Sequence, residues 1–157
     1  PEIARALRAR GLRLARRHLG ETPTPETEVY LADTLGELGL FYRLAEIVLV
    51  GGSLAPHGGH NPLEPARLSC ALVFGRHMEN FAEIAGAIAA AGGGKTVADE
   101  TALGESLTAL LADETERSRR AEAAARVAAA HAGILDDVFA EIAPYLPAEE
   151  GLAVARA

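Results

Sequence analysis

The stretch Val50–Ala66, "VGGSLAPHGGHNPLEPA", begins on the last residue of the apolar run "EIVLV" and decides how the chain is read. It packs four glycines, two histidines, one asparagine and one glutamate into a short span. The run "IVLV" before it shows no polar alternation, the pattern of a central parallel strand covered on both faces. Glycines lack Cβ, so they let the backbone adopt positive φ and approach a ligand closely. A buried strand that opens into such a segment, and then into the helical pattern "PLEPARLS", leads either to an elaborate turn or to a binding loop.

Outward from this stretch, short apolar runs alternate with helical ones. "EIARALRAR" places Ile3, Leu7 and its alanines on one helical face and stops at Gly11. "LRLAR" and "VYLAD" read as strands, separated by the turn-rich connector "ETPTPETE". "TLGELGLFYRLAE" reads as a helix, "CALVFG" as a fourth strand, "ENFAEIAGAIAAAGGG" as a helix closed by glycines, and "KTVA" as a fifth strand. Three helical segments follow, 102–112, 114–130 and 134–143, before Pro144 and Pro147 end the pattern. Strand and helix alternating at this spacing imply βα units. The fold class is therefore α/β: a Rossmann-like parallel sheet with helices on both faces, expected over residues 1–146 with a loosely ordered tail at 147–157.

Composition narrows the function. With 157 residues and 49% apolar content the chain suits one domain with a proper core. No apolar run approaches the ~20 residues that span a bilayer. A lone cysteine, Cys70, excludes an internal disulfide framework and reads as core. The net charge of −7 argues against general nucleic-acid binding, which depends on neutralising phosphates. Six arginines nevertheless stand against one acid in residues 1–20, either as a solvated helix face or as a local anion site. The chain opens on Pro1 rather than Met and reads as a piece of a longer protein.

In open α/β sheets ligands sit beyond the carboxyl ends of the strands. Two segments occupy such ends: "DTLGELG" (Asp33–Gly39) and the opening stretch. Both lead into helices, whose free N–H groups favour an anion such as phosphate. Each also fits a plain helix start. Thr34 with Glu37 and Asn61 with Glu64 have capping-box spacing, Pro62 suits the first helical position, and Asn80 with Glu83 repeats the pattern. A cap does not require Gly51, Gly52, Gly58 and Gly59 ahead of it, and that excess favours a site. "AAAGGGKT" (Ala89–Thr96) resembles a phosphate loop, but it runs from helix to strand and is excluded. His60 and Glu64 have a two-ligand metal spacing without a local third ligand. A Ser53–His–acid triad lacks the G-x-S-x-G elbow. No metal and no cofactor are expected.

The assembled "DTLGELGLFYRLAEIVLVGGSLAPHGGHNPLEPA" resembles the carboxyl-terminal half of the 3-deoxy-D-manno-octulosonic acid (Kdo) transferases, glycosyltransferases with two Rossmann-like domains (GT-B). The family pattern D-T-x-G-E-L, V-G-G-S, G-G-H-N-x-L-E and G-x-H-x-x-N-F is present throughout, the last as "GRHMENF" (Gly75–Phe81). The resemblance implies transfer of Kdo from CMP-Kdo to a lipid A precursor in lipopolysaccharide biosynthesis, at the cytoplasmic face of the bacterial inner membrane. It implies that this part binds the donor. Acceptor surface, membrane contact and catalytic carboxylate would belong to an amino-terminal domain outside these residues, so no catalytic residue is expected in the chain itself.

Matched positions carry the roles that the resemblance implies. Gly36, Glu37 and Leu38 correspond to the G-E-L that opens a helix onto the donor phosphate, and Ser53 to the serine at the strand end. Gly58 and Gly59 allow close approach, His60 completes the motif, Asn61 lies near the phosphate, and Glu64 serves the ribose hydroxyls. Arg17, in "RRHLGE", flanks the cytosine or phosphate. The chain departs from the pattern at His57, where many relatives carry Arg, at Arg76 and Met78, and at Ser69–Cys70. A GT-B enzyme using a UDP-sugar, a non-catalytic nucleotide-binding module, and an oligomerisation domain using helix 114–130 remain alternatives.

Overall fold

The computed structural model describes residues 2–132 and 141–145. The expected helix at 134–143 and the tail at 147–157 lie wholly or largely outside the described residues. The chain divides into two compact units, Pro1–Phe41 and Tyr42–Ala157.

In the first unit, helix α1 (Glu2–Ala9) ends as Gly11 turns at φ 77° and donates to the Arg8 carbonyl. Strands β1 (Leu14–Arg16) and β2 (Val29–Leu31) pair in parallel, with Ala15 opposite Tyr30. The rings of Tyr30 and Phe41 pack at a centroid separation of 6.1 Å. Helix α2 (Leu38–Leu44) contains the boundary between the units, and it starts four residues later than its pattern suggests. The delay has a cause: Gly36 takes φ 82°, so the chain makes a turn there instead of a first helical residue.

The second unit is a three-stranded parallel sheet, β3 (Ile47–Leu49), β4 (Ala71–Phe74) and β5 (Gly94–Thr96), in the order β3-β4-β5. The central strand is thus β4, not "IVLV" as the apolar run suggested. All four β4 residues are buried, whereas Leu49 of β3 is 39% exposed. Alternation along β4 separates two cores. Leu72 and Phe74 pack with Ala85 and Ile88 of helix α4 (Ala82–Ala90) and with Ala124 and Ala128 of helix α6 (Glu114–Ala130). Val73 faces the other way, onto Val97 and onto Leu110 of helix α5 (Glu100–Ala112). Helices therefore cover both faces, as expected of an α/β sheet. The five-residue helix α3 (Leu63–Arg67) lies between β3 and β4 in sequence.

The alanine-rich face of α6 is occupied within the fold. Ala121, Ala123, Ala124 and Ala128 are buried, so this face is not the free oligomerisation surface that composition allowed. The small side chains bring α6 against the glycines before β5. A Cβ on Gly93 would stand 2.5 Å from the Ala124 nitrogen, and one on Gly94 would meet the Phe74 ring at the same distance. "AGGG" is thus a packing device, and Gly92 at φ 75° closes α4. Cys70 is fully buried, its thiol donating to the carbonyls of Tyr42 and Ala45 at 3.2 Å. Burial pushes the thiol pKa up. No helix among the described residues is long and apolar enough to cross a membrane.

These contacts set opposite expectations for two glycines. Gly93→Ala should destabilise the chain by about 2 kcal/mol or more, because backbone on both sides must move. Gly104→Ala, in the open interior of α5, should stabilise it by roughly 0.5–1 kcal/mol. Chemical denaturation of both variants checks the pair.

Candidate functional site

The loop that follows β3 is held by its own backbone. The N–H groups of Gly59 and His60 donate to the carbonyls of Gly52 and Gly51, at 3.1 and 3.0 Å, folding the loop onto itself. This requires positive φ at Gly52 (69°), Gly58 (82°) and Gly59 (73°). The His60 ring lies over Gly51 and Gly52: a Cβ on Gly52 would stand 3.0 Å from it, whereas one on Gly51 would be in ordinary contact at 3.9 Å.

A second segment, Gly75–Asn80, braces the loop. His77 N–H donates to the Ser53 carbonyl at 2.9 Å, and Asn80 N–H to the Gly58 carbonyl at 3.0 Å. Ser53 is fully buried, its hydroxyl donating to the Val50 carbonyl at 2.6 Å and accepting from the Gly75 N–H at 2.8 Å. A ligand contact by this side chain, expected from the motif, is replaced by a bracket between the ends of β3 and β4. Gly58 and Gly59 change roles in the same way. The space beside them is filled by the Asn80 amide and the Met78 sulfur, so they serve the close approach of protein to protein.

The expected caps also resolve differently. Asn61 Oδ1 accepts from Leu63 N–H at 3.0 Å, two residues on, as an Asx turn. Pro62 takes the cap position itself rather than the first helical position. The amide nitrogen of Asn61 and the exposed carboxylate of Glu64 have no protein partner among the described residues, so both are available. Asn80 does not cap α4, which begins at Ala82 with no side-chain cap.

In the first unit, Asp33 ties two turns together. Its carboxylate accepts from His18 N–H at 2.9 Å and from Arg16 Nε at 3.0 Å, and those contacts, His18 first, hold its pKa below the usual carboxylate range. Glu37 pairs with Arg17, Nη2 to Oε1 at 2.5 Å, and accepts from the Thr34 hydroxyl. The Arg17 guanidinium first, and Thr34 second, lower the Glu37 pKa to about 2. Thr34 and Glu37 therefore meet side chain to side chain rather than as a backbone capping box. The N–H groups of Gly36, Glu37 and Leu38 have no acceptor among the described residues. Beside them lies a pocket lined by Ala32, Thr34, Leu35, Gly36, Leu38 and Phe41. Among the described residues no group of three or more His, Cys, Asp or Glu is placed to hold a metal.

The structure of this chain is similar to a crystal structure of the C-terminal CMP-Kdo binding domain of WaaA from Acinetobacter baumannii. The TM-score is 0.77 at 33% identity, over 80% of this chain and 66% of that one. In sequence it is 36% identical over 145 residues to a 3-deoxy-D-manno-octulosonic acid transferase of Haemophilus influenzae, and 41% identical over 134 residues to one of Bordetella pertussis. The chain belongs to the Kdo transferase family. The two alignments cover 92% and 84% of the chain, which spans about a third of the length of these curated relatives. No family model matches the chain.

The site residues that the resemblance implies fall into two local groups. Arg17, Gly36, Glu37 and Leu38 share the first unit's turns. Ser53, Gly58, Gly59, His60, Asn61 and Glu64 share the second unit's loop, with Ser53 inside it. Sequence reasoning missed Asp33 as a fastener and the 75–80 segment as a brace. The D-T and N-F letters of the motifs were the available signal.

Glu37 supplies a pH test. Its folded pKa lies below its ordinary value of 4.5, so its contribution to stability is complete above that value and is lost as pH falls towards about 2. Glu37→Gln should lower the melting temperature at neutral pH, and the gap to wild type should close at a pH of about 2. A gap unchanged across that window would mean that the Arg17 pair contributes nothing in solution.

Proposed function

We propose that this chain binds the sugar-nucleotide donor CMP-Kdo for a glycosyltransferase that moves Kdo to a lipid A precursor. That reaction belongs to lipopolysaccharide biosynthesis at the cytoplasmic face of the bacterial inner membrane. The observation that carries the reading is the likeness, at 33% identity and a TM-score of 0.77, to a domain described as CMP-Kdo binding. The local chemistry supports it. Glu64 is exposed in the first turn of α3, and a free carboxylate can accept from two vicinal ribose hydroxyls. The Asn61 amide nitrogen can donate to a phosphate oxygen. In the first unit, the free N–H groups of Gly36, Glu37 and Leu38, with Arg17 beside them, suit a phosphate as well. Loop residues Gly51–Asn61 contain no acid that would repel the donor.

Ser53 and the paired glycines position this machinery without touching the ligand. The group that deprotonates the acceptor hydroxyl is assigned to residues outside this chain, as are acceptor and membrane contacts. The 157 residues should therefore bind donor nucleotide and transfer nothing. Turnover by them at the rate of a complete enzyme would refute that division.

Calorimetric titration tests the reading directly. CMP should bind, with UMP and UDP at least about 10-fold weaker, the ratio expected of any site that reads the hydrogen-bonding edge of the base. Glu64→Ala should weaken CMP by roughly 10–100-fold, the expected loss of hydrogen bonds to a charged group. Its melting temperature should stay close to wild type, since the Glu64 side chain caps nothing. Equal affinity for all three nucleotides would favour a UDP-sugar enzyme or a general nucleotide module. A loss of stability without a loss of affinity would make Glu64 a structural residue.

A further inference from the structure

Asn80 sits in the short 3-10 turn Glu79–Phe81, ahead of α4 and free of any capping duty. Its backbone N–H is fixed on the Gly58 carbonyl at 3.0 Å. Its side-chain amide lies against the Cα of Gly58, where Nδ2, Cγ and Oδ1 together fill the place of a Cβ. The residue is exposed, and its amide has no hydrogen-bond partner among the described residues. Its neighbours differ: Asn61 accepts from Leu63, and His77 is engaged by Glu79. An amide that is pinned in position yet unpaired, on the outer surface of a glycine loop, loses little entropy when it meets a ligand. Residues 51–61 carry no carboxylate, so an anion at this loop meets no like charge from it, and the Nδ2 hydrogens are the donors that the Asn80 side chain offers.

We propose that Asn80 is a further ligand-binding residue, donating from its amide to a phosphate oxygen of the nucleotide held on the Gly58–Glu64 loop. This rests on the donor-binding function proposed above. It assigns the G-x-H-x-x-N-F segment two tasks: its backbone braces the loop, and its asparagine extends the phosphate contact.

The test is calorimetry of the 157-residue chain with CMP and with cytidine, on wild type, Asn80→Ala, Asn80→Asp and Glu64→Ala. Asn80→Ala should weaken CMP by about 10-fold, the loss of one hydrogen bond to a charged group. Asn80→Asp should weaken it by roughly 100-fold, because a carboxylate then faces the phosphate. Both variants should bind cytidine as wild type does. CMP binding of wild-type strength in both variants, while Glu64→Ala is weakened, would overturn the assignment and leave the donor-binding function standing. Equal losses for cytidine and CMP would also overturn it, by removing the phosphate from the contact. Should Asn80→Ala melt early, the near-isosteric Asn80→Asp decides: tight CMP binding by that variant rejects the proposal. Failure of wild type to bind CMP would reject the function itself and this contact with it.

Discussion

The Ser53 hydroxyl, sealed from solvent, gives its hydrogen to the Val50 carbonyl and takes the N–H of Gly75. These two backbone groups end neighbouring parallel strands, at the point where the sheet ladder stops and where buried polar groups would otherwise lack partners. One small side chain thereby converts two strand ends into a single platform. The Gly51–Asn61 loop and the Gly75–Asn80 segment both start from it, and the backbone bonds from His77 and Asn80 carry the connection outward. Arrangement of half-buried Asn61 and exposed Glu64 and Asn80 follows from that platform. Rigid support of this kind is what a small set of polar contacts needs in order to discriminate between ligands.

Close backbone approach is the second economy of the fold. Gly93 and Gly94 meet Ala124 and Phe74 at distances that no larger residue permits, and the alanines of α6 are small for the same reason. Few large side chains are present, with aromatics at 4% of the sequence, so the core gains density from proximity. Composition alone made the alanine face look spare. Packing shows it to be occupied, because the three-stranded sheet needs cover on the face of Leu72 and Phe74.

Charge is handled locally. Arg13 with Glu28, Arg16 with Asp33 and Arg17 with Glu37 form ion pairs within the first unit, so three of the six clustered arginines have acidic partners in the structure. The Arg17 pair is partly exposed and contributes modestly to stability. Its larger effect is to fix the turn whose N–H groups stay free. The acids and bases of the first unit's motif thus build the shape there, whereas in the second unit the Glu64 carboxylate stays exposed.

The α/β class, the order of elements and the identity of the family were legible in the sequence. Hydrophobic periodicity marks strands and helices wherever burial is one-sided or complete, and the motifs keep their residue types at fixed spacing. The sequence by itself also placed Cys70 in the core and rejected "AAAGGGKT" as a phosphate loop. Only the tertiary structure decided which motif residues face outward. Spacing cannot distinguish Ser53, turned inward onto the Val50 carbonyl and the Gly75 N–H, from Asn80, exposed over Gly58, because both depend on contacts between segments more than twenty residues apart. The central position of β4 and the internal use of the glycines rest on the same physical ground, while the late start of α2 has a local cause in the positive φ of Gly36. Backbone hydrogen bonds and steric exclusion between distant segments override local propensity once the chain is packed.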